Sequence, residues 1–168
     1  MSEKNQRTMK KVIKGSLMII AVVLVVIQFF RPKKNISSVV SDQDIAKHYG
    51  VPDKVLAVLQ RSCYDCHSNN TAYPWYNNIQ PFAWFLADHV KEGKDELNFS
   101  TFASYTPKKA AHKLDEVIGE TSEGEMPLSS YTLIHRNAIL SDQEIKMINE
   151  WATTLGDSIR NANGLVKQ

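Results

Sequence analysis

The sequence contains only two cysteines, Cys63 and Cys66, among its 168 residues. A structural zinc site commonly takes four ligands from two separated pairs, and a thioredoxin-like thiol pair lies near a βαβ pattern. The chain has one cysteine pair and no visible βαβ pattern, which counts against both kinds of site. It also lacks internal repeats, extended low-complexity tracts and a recognisable base or nucleophile, so nothing in it indicates an enzyme active site.

Acidic residues are scarce at the start of the chain and abundant afterwards. Residues 1–34 contain eight Lys or Arg and one acid, whereas the remainder contains twelve Lys or Arg against seventeen Asp or Glu. The net charge of +2 therefore hides an acidic body. An acidic body argues against nucleic acid as a partner.

One long hydrophobic run is present, over residues 12–30. A helix of this length, at ~1.5 Å per residue, spans about the hydrocarbon thickness of a bilayer. More Lys and Arg precede the run than follow it, which predicts a cytoplasmic N-terminus. A cleaved signal peptide is the alternative, but the chain continues with basic residues and a proline instead of a small-residue cleavage site. We therefore predict a cytoplasmic segment (1–11), a single-pass anchor (12–30) and a body outside the cytoplasm.

Both cysteines belong to one pentapeptide, Cys63-Tyr64-Asp65-Cys66-His67. It has the C-x-x-C-H form of a c-type haem attachment site. On a helical turn, positions i, i+3 and i+4 share one face, so two thiols and one imidazole project together. The motif predicts one covalent haem c, attached by Cys63 and Cys66 and ligated by His67 as the proximal ligand. Such attachment takes place outside the bacterial cytoplasm, which predicts a bacterial inner membrane and a periplasmic body.

Met126 is the methionine best placed to bind the opposite face of the haem. Pro127 biases it towards an extended conformation, and the 59 positions that separate it from His67 allow the chain to pass around a haem. Met147 lies in a predicted helix and is assigned to packing. His89, on an apolar helical face, is either a core residue or a rival ligand.

Three aromatic residues follow the motif in a stretch rich in turn-forming residues: Tyr73, Trp75 and Tyr76. They either pack in the ordinary way or cover the haem edge, with Trp75 or a tyrosine hydroxyl bonding a propionate. His135 is a further candidate for a propionate. Its alternatives are the sixth position of the iron and a solvated surface.

Helical spacing of apolar residues and capping signals predict an all-α body. The expected helices run from Ser41 or Asp42 to Tyr49, from Asp53 into the motif, from Phe82 to Gly93, from Pro107 to Ile118, and from a capping box at Ser141 to Gly156. Residues 31–41 are predicted to be a tether, 42–156 one haem-binding domain of four or five helices, and 157–168 a polar tail.

Three runs resemble a known family: CYDCHSNNTAYPWYNNIQP, ELNFS and EMPLSSYTLIHRNAILSDQEIKMINEW. The family is the bacterial haem-binding domain family of small, membrane-anchored, c-type cytochrome-like proteins, and the resemblance covers roughly residues 45–153. It implies a monohaem, all-helical, cytochrome c-like domain. In that domain Cys63 and Cys66 attach haem, His67 ligates it, and Met126 matches the methionine of the family's MPL segment.

The predicted function is electron transfer through a His/Met-ligated haem c, with a redox partner protein or a membrane oxidoreductase. No substrate need bind, so we expect an electron carrier or haem-binding protein rather than an enzyme. Two alternatives stay open. One is a haem-based sensor or peroxidase-like enzyme in which Met126 leaves the iron, and the other is a thiol redox protein that uses Cys63 and Cys66.

Overall fold

The computed structural model describes residues 3–166. Residues 1–2 of the predicted cytoplasmic segment and 167–168 of the predicted tail lie outside the described residues. Over the described range the chain forms eight α-helices and four short 3-10 helices and no strand, which confirms the all-α class. It divides into two compact units. The first combines the N-terminal segment up to Lys34 with Tyr73–Asp88, and the second combines Asn35–Ala72 with the chain from His89 onwards.

The first unit contains α1 (Glu3–Val26), which continues into a 3-10 turn over Ile27–Phe29. The stretch Gln6–Phe29 is long and apolar enough to cross a membrane, with a mean hydropathy of 2.5, and its most apolar window is not buried in the protein. The helix begins well before residue 12, where the hydrophobic run starts. Lys, Arg and Gln are good helix formers, so the basic residues upstream extend the helix.

Two glutamines connect the end of the apolar helix with residues 73–88 inside the first unit. The Gln28 side-chain oxygen accepts a hydrogen bond from the Gln80 backbone N–H at 2.9 Å. The Gln80 side-chain amide donates to the Phe30 carbonyl at 2.7 Å. Gln80 is buried, and these bonds satisfy polar groups that burial would otherwise leave unpaired.

The second unit contains the remaining helices: α2 (Ile45–Tyr49), α3 (Asp53–Ser62), α4 (Tyr64–His67), α6 (Pro107–Glu123), α7 (Ser129–Thr132) and α8 (Asp142–Ala162). Helix α5 (Phe82–Glu96) begins in the first unit and ends in the second. Four helices after α1 have ten residues or more (α3, α5, α6 and α8), which agrees with the predicted four or five. The other three have four or five residues.

Helix starts follow the local capping signals closely. Helix α6 begins after Thr106, whose hydroxyl caps it, and α8 begins with the predicted capping box at Ser141. The cap of α2 is Asp44, and the prediction of Ser41 or Asp42 was wrong. The Asp44 carboxylate accepts a hydrogen bond from the backbone N–H two residues on, at 2.9 Å, as an N-cap residue does.

Three helix ends were predicted too early. Helices α5, α6 and α8 continue beyond their expected last residues, which were Gly93, Ile118 and Gly156. Part of the predicted polar tail is therefore helical. Its Arg160 is buried and forms ion pairs with Asp115 and Asp157. The amino-acid composition of the tail does not predict such contacts.

Helices α6 and α8 pack along each other more extensively than any other pair of helices in the second unit. Ala110, Ala111 and Leu114 from α6 are buried together with Ala152 from α8. The small side chains let the two helices approach closely. Phe99 and Phe102, from the 3-10 segment Phe99–Ser104, together with Val55 and Leu59 of α3, complete the core and fix the helix that leads into the cysteine motif.

Candidate functional site

The cysteine motif occupies a single helical turn at the end of α3. Cys63 lies between α3 and α4 with φ −124°, so the two helices are separate and not continuous. The backbone N–H groups of Cys66 and His67 both donate to the Cys63 carbonyl, at 3.2 and 3.0 Å. The turn thus brings the two thiols and the imidazole together within five residues.

The His67 ring is oriented by a backbone carbonyl. Its Nδ1 lies 3.0 Å from the Leu97 carbonyl oxygen. Because a carbonyl only accepts, Nδ1 carries the proton and Nε2 keeps its lone pair. Burial lowers the pKa of His67, so the imidazole is neutral at neutral pH. A ring N–H bonded to a carbonyl is the usual arrangement behind a metal-ligating histidine.

Asn98 holds the Leu97 carbonyl in position. The Asn98 side-chain amide donates to the Asn69 side-chain oxygen at 2.9 Å, and its backbone N–H donates to the Tyr105 hydroxyl at 2.9 Å. Asn69 follows His67 by two residues, so the loop after α5 is bonded directly to the loop after the motif. Asn98 was not predicted as a site residue. The one signal in the sequence is that asparagine is a common cap residue. In the structure the Asn98 side-chain oxygen caps the following 3-10 segment, because it accepts a hydrogen bond from the Ser100 N–H at 3.0 Å.

Gly93 allows α5 to approach the motif. A Cβ atom at this position would lie 2.9 Å from the Cys66 carbonyl oxygen and 3.0 Å from the Cys66 Cβ. Both neighbours are backbone or backbone-proximal atoms, which cannot move aside as a flexible side chain can. Gly93 was expected to end α5, but it lies inside the helix. A glycine occupies this position because only a hydrogen atom fits against Cys66.

Two adjacent cavities, of about 310 and 370 Å³, lie beside the motif. Both are lined by Cys63, His67 and Met126, and the second also by Cys66 and His89. Their volumes are at the lower end of the range of small-molecule and cofactor sites. The structure therefore brings Met126 to the motif although the two are far apart in sequence. It brings His89 there as well.

A tyrosine ties the segment after Met126 to the motif. The Tyr131 hydroxyl donates to the Asp65 carboxylate at 2.7 Å, and the same carboxylate accepts a hydrogen bond from the Ala72 N–H at 2.9 Å. His135 stacks on Tyr131 with ring centroids 4.3 Å apart. Neither Asp65 nor Tyr131 was predicted as a site residue, because a pair 66 positions apart leaves no local signal.

Both thiols are protonated at neutral pH. Burial raises the pKa of Cys63 to about 12 and that of Cys66 to about 11, and the neighbouring thiol or carboxylate adds to the effect. The two cysteines are not joined by a disulfide. Among the residues that the structure describes, no group of three or more His, Cys, Asp or Glu is arranged to hold a metal ion.

The three aromatic residues predicted at the haem edge belong to the first unit. Tyr73, Trp75 and Tyr76 lie there, Trp75 is 76% exposed, and it meets Tyr76 edge-on at 5.9 Å. Their predicted contacts with the haem edge stay predictions, as does the propionate contact of His135. Met147, assigned to packing, does pack against the core of the second unit.

One protein family, described as a haem-binding domain, has a model that matches residues 22–154. The matched span contains every residue of the site described above, from Cys63 to Tyr131. It also contains the three runs on which the sequence resemblance rests. No curated protein and no solved structure matches the chain.

We expect Gly93→Ala to destabilise the protein by about 1–3 kcal/mol, the usual cost of overpacking, because the new methyl group must displace the Cys66 backbone. Gly119→Ala is the matched control, since it also lies inside a helix and its Cβ would meet nothing within 4 Å. Gly119→Ala should stabilise by about 0.5–1 kcal/mol. Thermal unfolding of both variants measures the difference, and equal shifts would show that the close approach is unimportant.

Proposed function

Because the chain belongs to the haem-binding domain family, we propose that it binds one haem c through Cys63 and Cys66 and transfers electrons to a redox partner protein or a membrane oxidoreductase. The observation that carries the proposal is the hydrogen bond from His67 Nδ1 to the Leu97 carbonyl. It leaves Nε2 of a neutral imidazole as the ring nitrogen able to bind iron. His67 lines both cavities beside the motif.

The arrangement of the thiols supports covalent attachment over thiol redox chemistry. Both cysteines lie within one turn and line the second cavity. A reactive redox thiol is normally stabilised as a thiolate with a lowered pKa. Here burial raises the pKa of both groups, which disfavours the thiol redox alternative.

Met126 is the proposed distal ligand. It is half-buried, lines both cavities together with His67, and lies in the segment that Tyr131 bonds to Asp65. When bound, haem supplies a one-electron couple, and a Met/His pair sets a higher potential than other axial pairs. The role of the chain is to hold both ligands in place. The Leu97 carbonyl orients His67, and the Tyr131–Asp65 bond restrains the Met126 segment.

His89 is a second candidate for the distal position. It lines the cavity of about 370 Å³ beside Cys66 and His67, so a bis-His haem of lower potential has specific structural support. A sensor or peroxidase-like role, in which Met126 leaves the iron, requires the same residues. An electron carrier and a sensor or peroxidase-like protein differ in whether the sixth coordination position of the iron becomes open.

Haem attachment is tested by replacing both thiols. Protein expressed with a cytochrome c maturation system should keep its haem through acid–acetone extraction, because thioethers are covalent. Cys63→Ala with Cys66→Ala should abolish the retained haem, as measured by a pyridine haemochrome spectrum. Ser62→Ala, a change beside the motif that leaves both thiols intact, should keep it. Wild-type protein without retained haem would refute the proposal.

The distal ligand is tested by Met126→Ala. It should remove the weak far-red absorption band of a ferric haem–thioether bond, lower the potential and open the iron to carbon monoxide. Met147→Ala is the matched control and should change none of these, because Met147 packs against the core. His89→Ala and His135→Ala test the histidine rivals. If His89→Ala opens the iron and Met126→Ala does not, the ligand is His89.

We also propose that α1 anchors the protein in a bacterial inner membrane, with its N-terminus in the cytoplasm and its body in the periplasm. The apolar helical stretch that ends at Phe29 and the excess of basic residues before the hydrophobic run of residues 12–30 support this orientation. A reporter that is active only in the periplasm should be active when fused after Gln168. The same fusion without residues 6–30 should be inactive. A soluble product that begins near Arg31 would show instead that the segment is a cleaved signal.

A further inference from the structure

The first unit exposes large apolar side chains over residues 75–85, here called the aromatic segment. Trp75 is 76% and Phe82 55% exposed, and Ile79, Trp84 and Phe85 are also exposed. Monomeric soluble domains rarely leave so much apolar surface in contact with water, and such surfaces usually mark a protein or membrane contact. The sequence from Tyr73 to Ala87 also contains no charged residue, so no charge along this stretch would oppose burial in a lipid environment.

The position of the aromatic segment is fixed by Gln80 in its middle. Gln80 is bonded to Gln28 and Phe30, which lie at the C-terminal end of the apolar helix. Phe82 follows Gln80 by two residues, so the chain allows a separation of at most ~7 Å between their Cα atoms. If the helix crosses the membrane, its end lies at the membrane surface, and the aromatic segment lies there too.

Basic residues occur at the same end of the helix. Arg31, Lys33 and Lys34 follow Phe30 directly, and the Lys34 ammonium lies 5.4 Å from the centroid of the Tyr73 ring. Trp and Tyr are enriched where a bilayer meets water, because their rings prefer the headgroup level. Lys and Arg beside them are attracted to anionic lipid headgroups. This end of the helix therefore combines aromatic rings with basic side chains, which is typical of a segment at the membrane–water interface.

We propose that residues 75–85 lie in the headgroup region of the same membrane that α1 crosses and form a second, peripheral attachment. The proposal rests on the proposed anchor and requires neither covalent haem attachment nor a particular axial ligand. It assigns Trp75, Trp84 and Phe82 to lipid contact, and so it competes with the predicted role of Trp75 at the haem edge. Ala83, between Phe82 and Trp84, is buried, so the segment presents some side chains outwards and others to the protein.

The test uses the three tryptophans of the full-length haem-loaded chain, reconstituted in vesicles with and without brominated lipids, which quench nearby tryptophan emission. The variant Trp151→Phe keeps Trp75 and Trp84, and should lose emission in brominated vesicles. The double variant Trp75→Phe with Trp84→Phe keeps only Trp151, which is buried in the second unit, and should show equal emission in both vesicles. Quenching by haem is the same in both vesicle types and cancels in the ratio.

Vesicle flotation separates the two proposals. Protein that floats with the vesicles but shows equal emission for Trp151→Phe has a working anchor, and the lipid contact of residues 75–85 is then wrong. Protein that does not float overturns the anchor and the lipid contact together. If Trp151→Phe does not fold, the wild type compared with the double variant gives the same contrast. Equal quenching ratios for those two proteins would overturn the proposal.

Discussion

The hydrogen bond between His67 Nδ1 and the Leu97 carbonyl is the interaction on which the proposed haem site depends. A histidine without a fixed partner can present either ring nitrogen, whereas a carbonyl partner selects one. The bond is useful only if the carbonyl is itself immobile. Asn98 provides that, because its side chain and backbone each bond to a different loop. The orientation of the His67 ring therefore depends on Asn98, whose two amide groups bond to Asn69 and Tyr105.

Close packing brings those loops together. Helix α5 contacts the motif closely because Gly93 leaves room for the Cys66 backbone. Leu97, directly after the end of α5, therefore lies within hydrogen-bond distance of His67. Helices α6 and α8 form the core behind this arrangement. The chain between α6 and α8 returns across the motif, where Tyr131 bonds to Asp65. Met126 is placed near His67 by that return and not by any local preference of its own.

Local chemistry explains which features could be predicted from the sequence. A cap depends on a few neighbouring residues, so the starts of α6 and α8 at Thr106 and Ser141 were predicted correctly. The cysteine turn is local as well. The end of α2 at Tyr49, before Gly50, was also predicted correctly. The end of α5 was not, because Gly93 marks a contact with a distant segment and not a break. The grouping of residues 73–88 with the N-terminal helix was likewise not anticipated, since it depends on a side-chain bond between Gln28 and Gln80.

The buried end of α8 bears on how the chain can be shortened. The family match ends at residue 154, and the composition beyond it suggests a dispensable polar extension. In the structure, Ile159 belongs to the hydrophobic core, and Arg160 reaches back to Asp115 and to the Ala111 carbonyl on α6. A fragment that ended at residue 154 would lack the Ile159 side chain, and truncation of a buried isoleucine alone costs about 2–5 kcal/mol. A recombinant fragment that contains the second unit should therefore extend past Ala162.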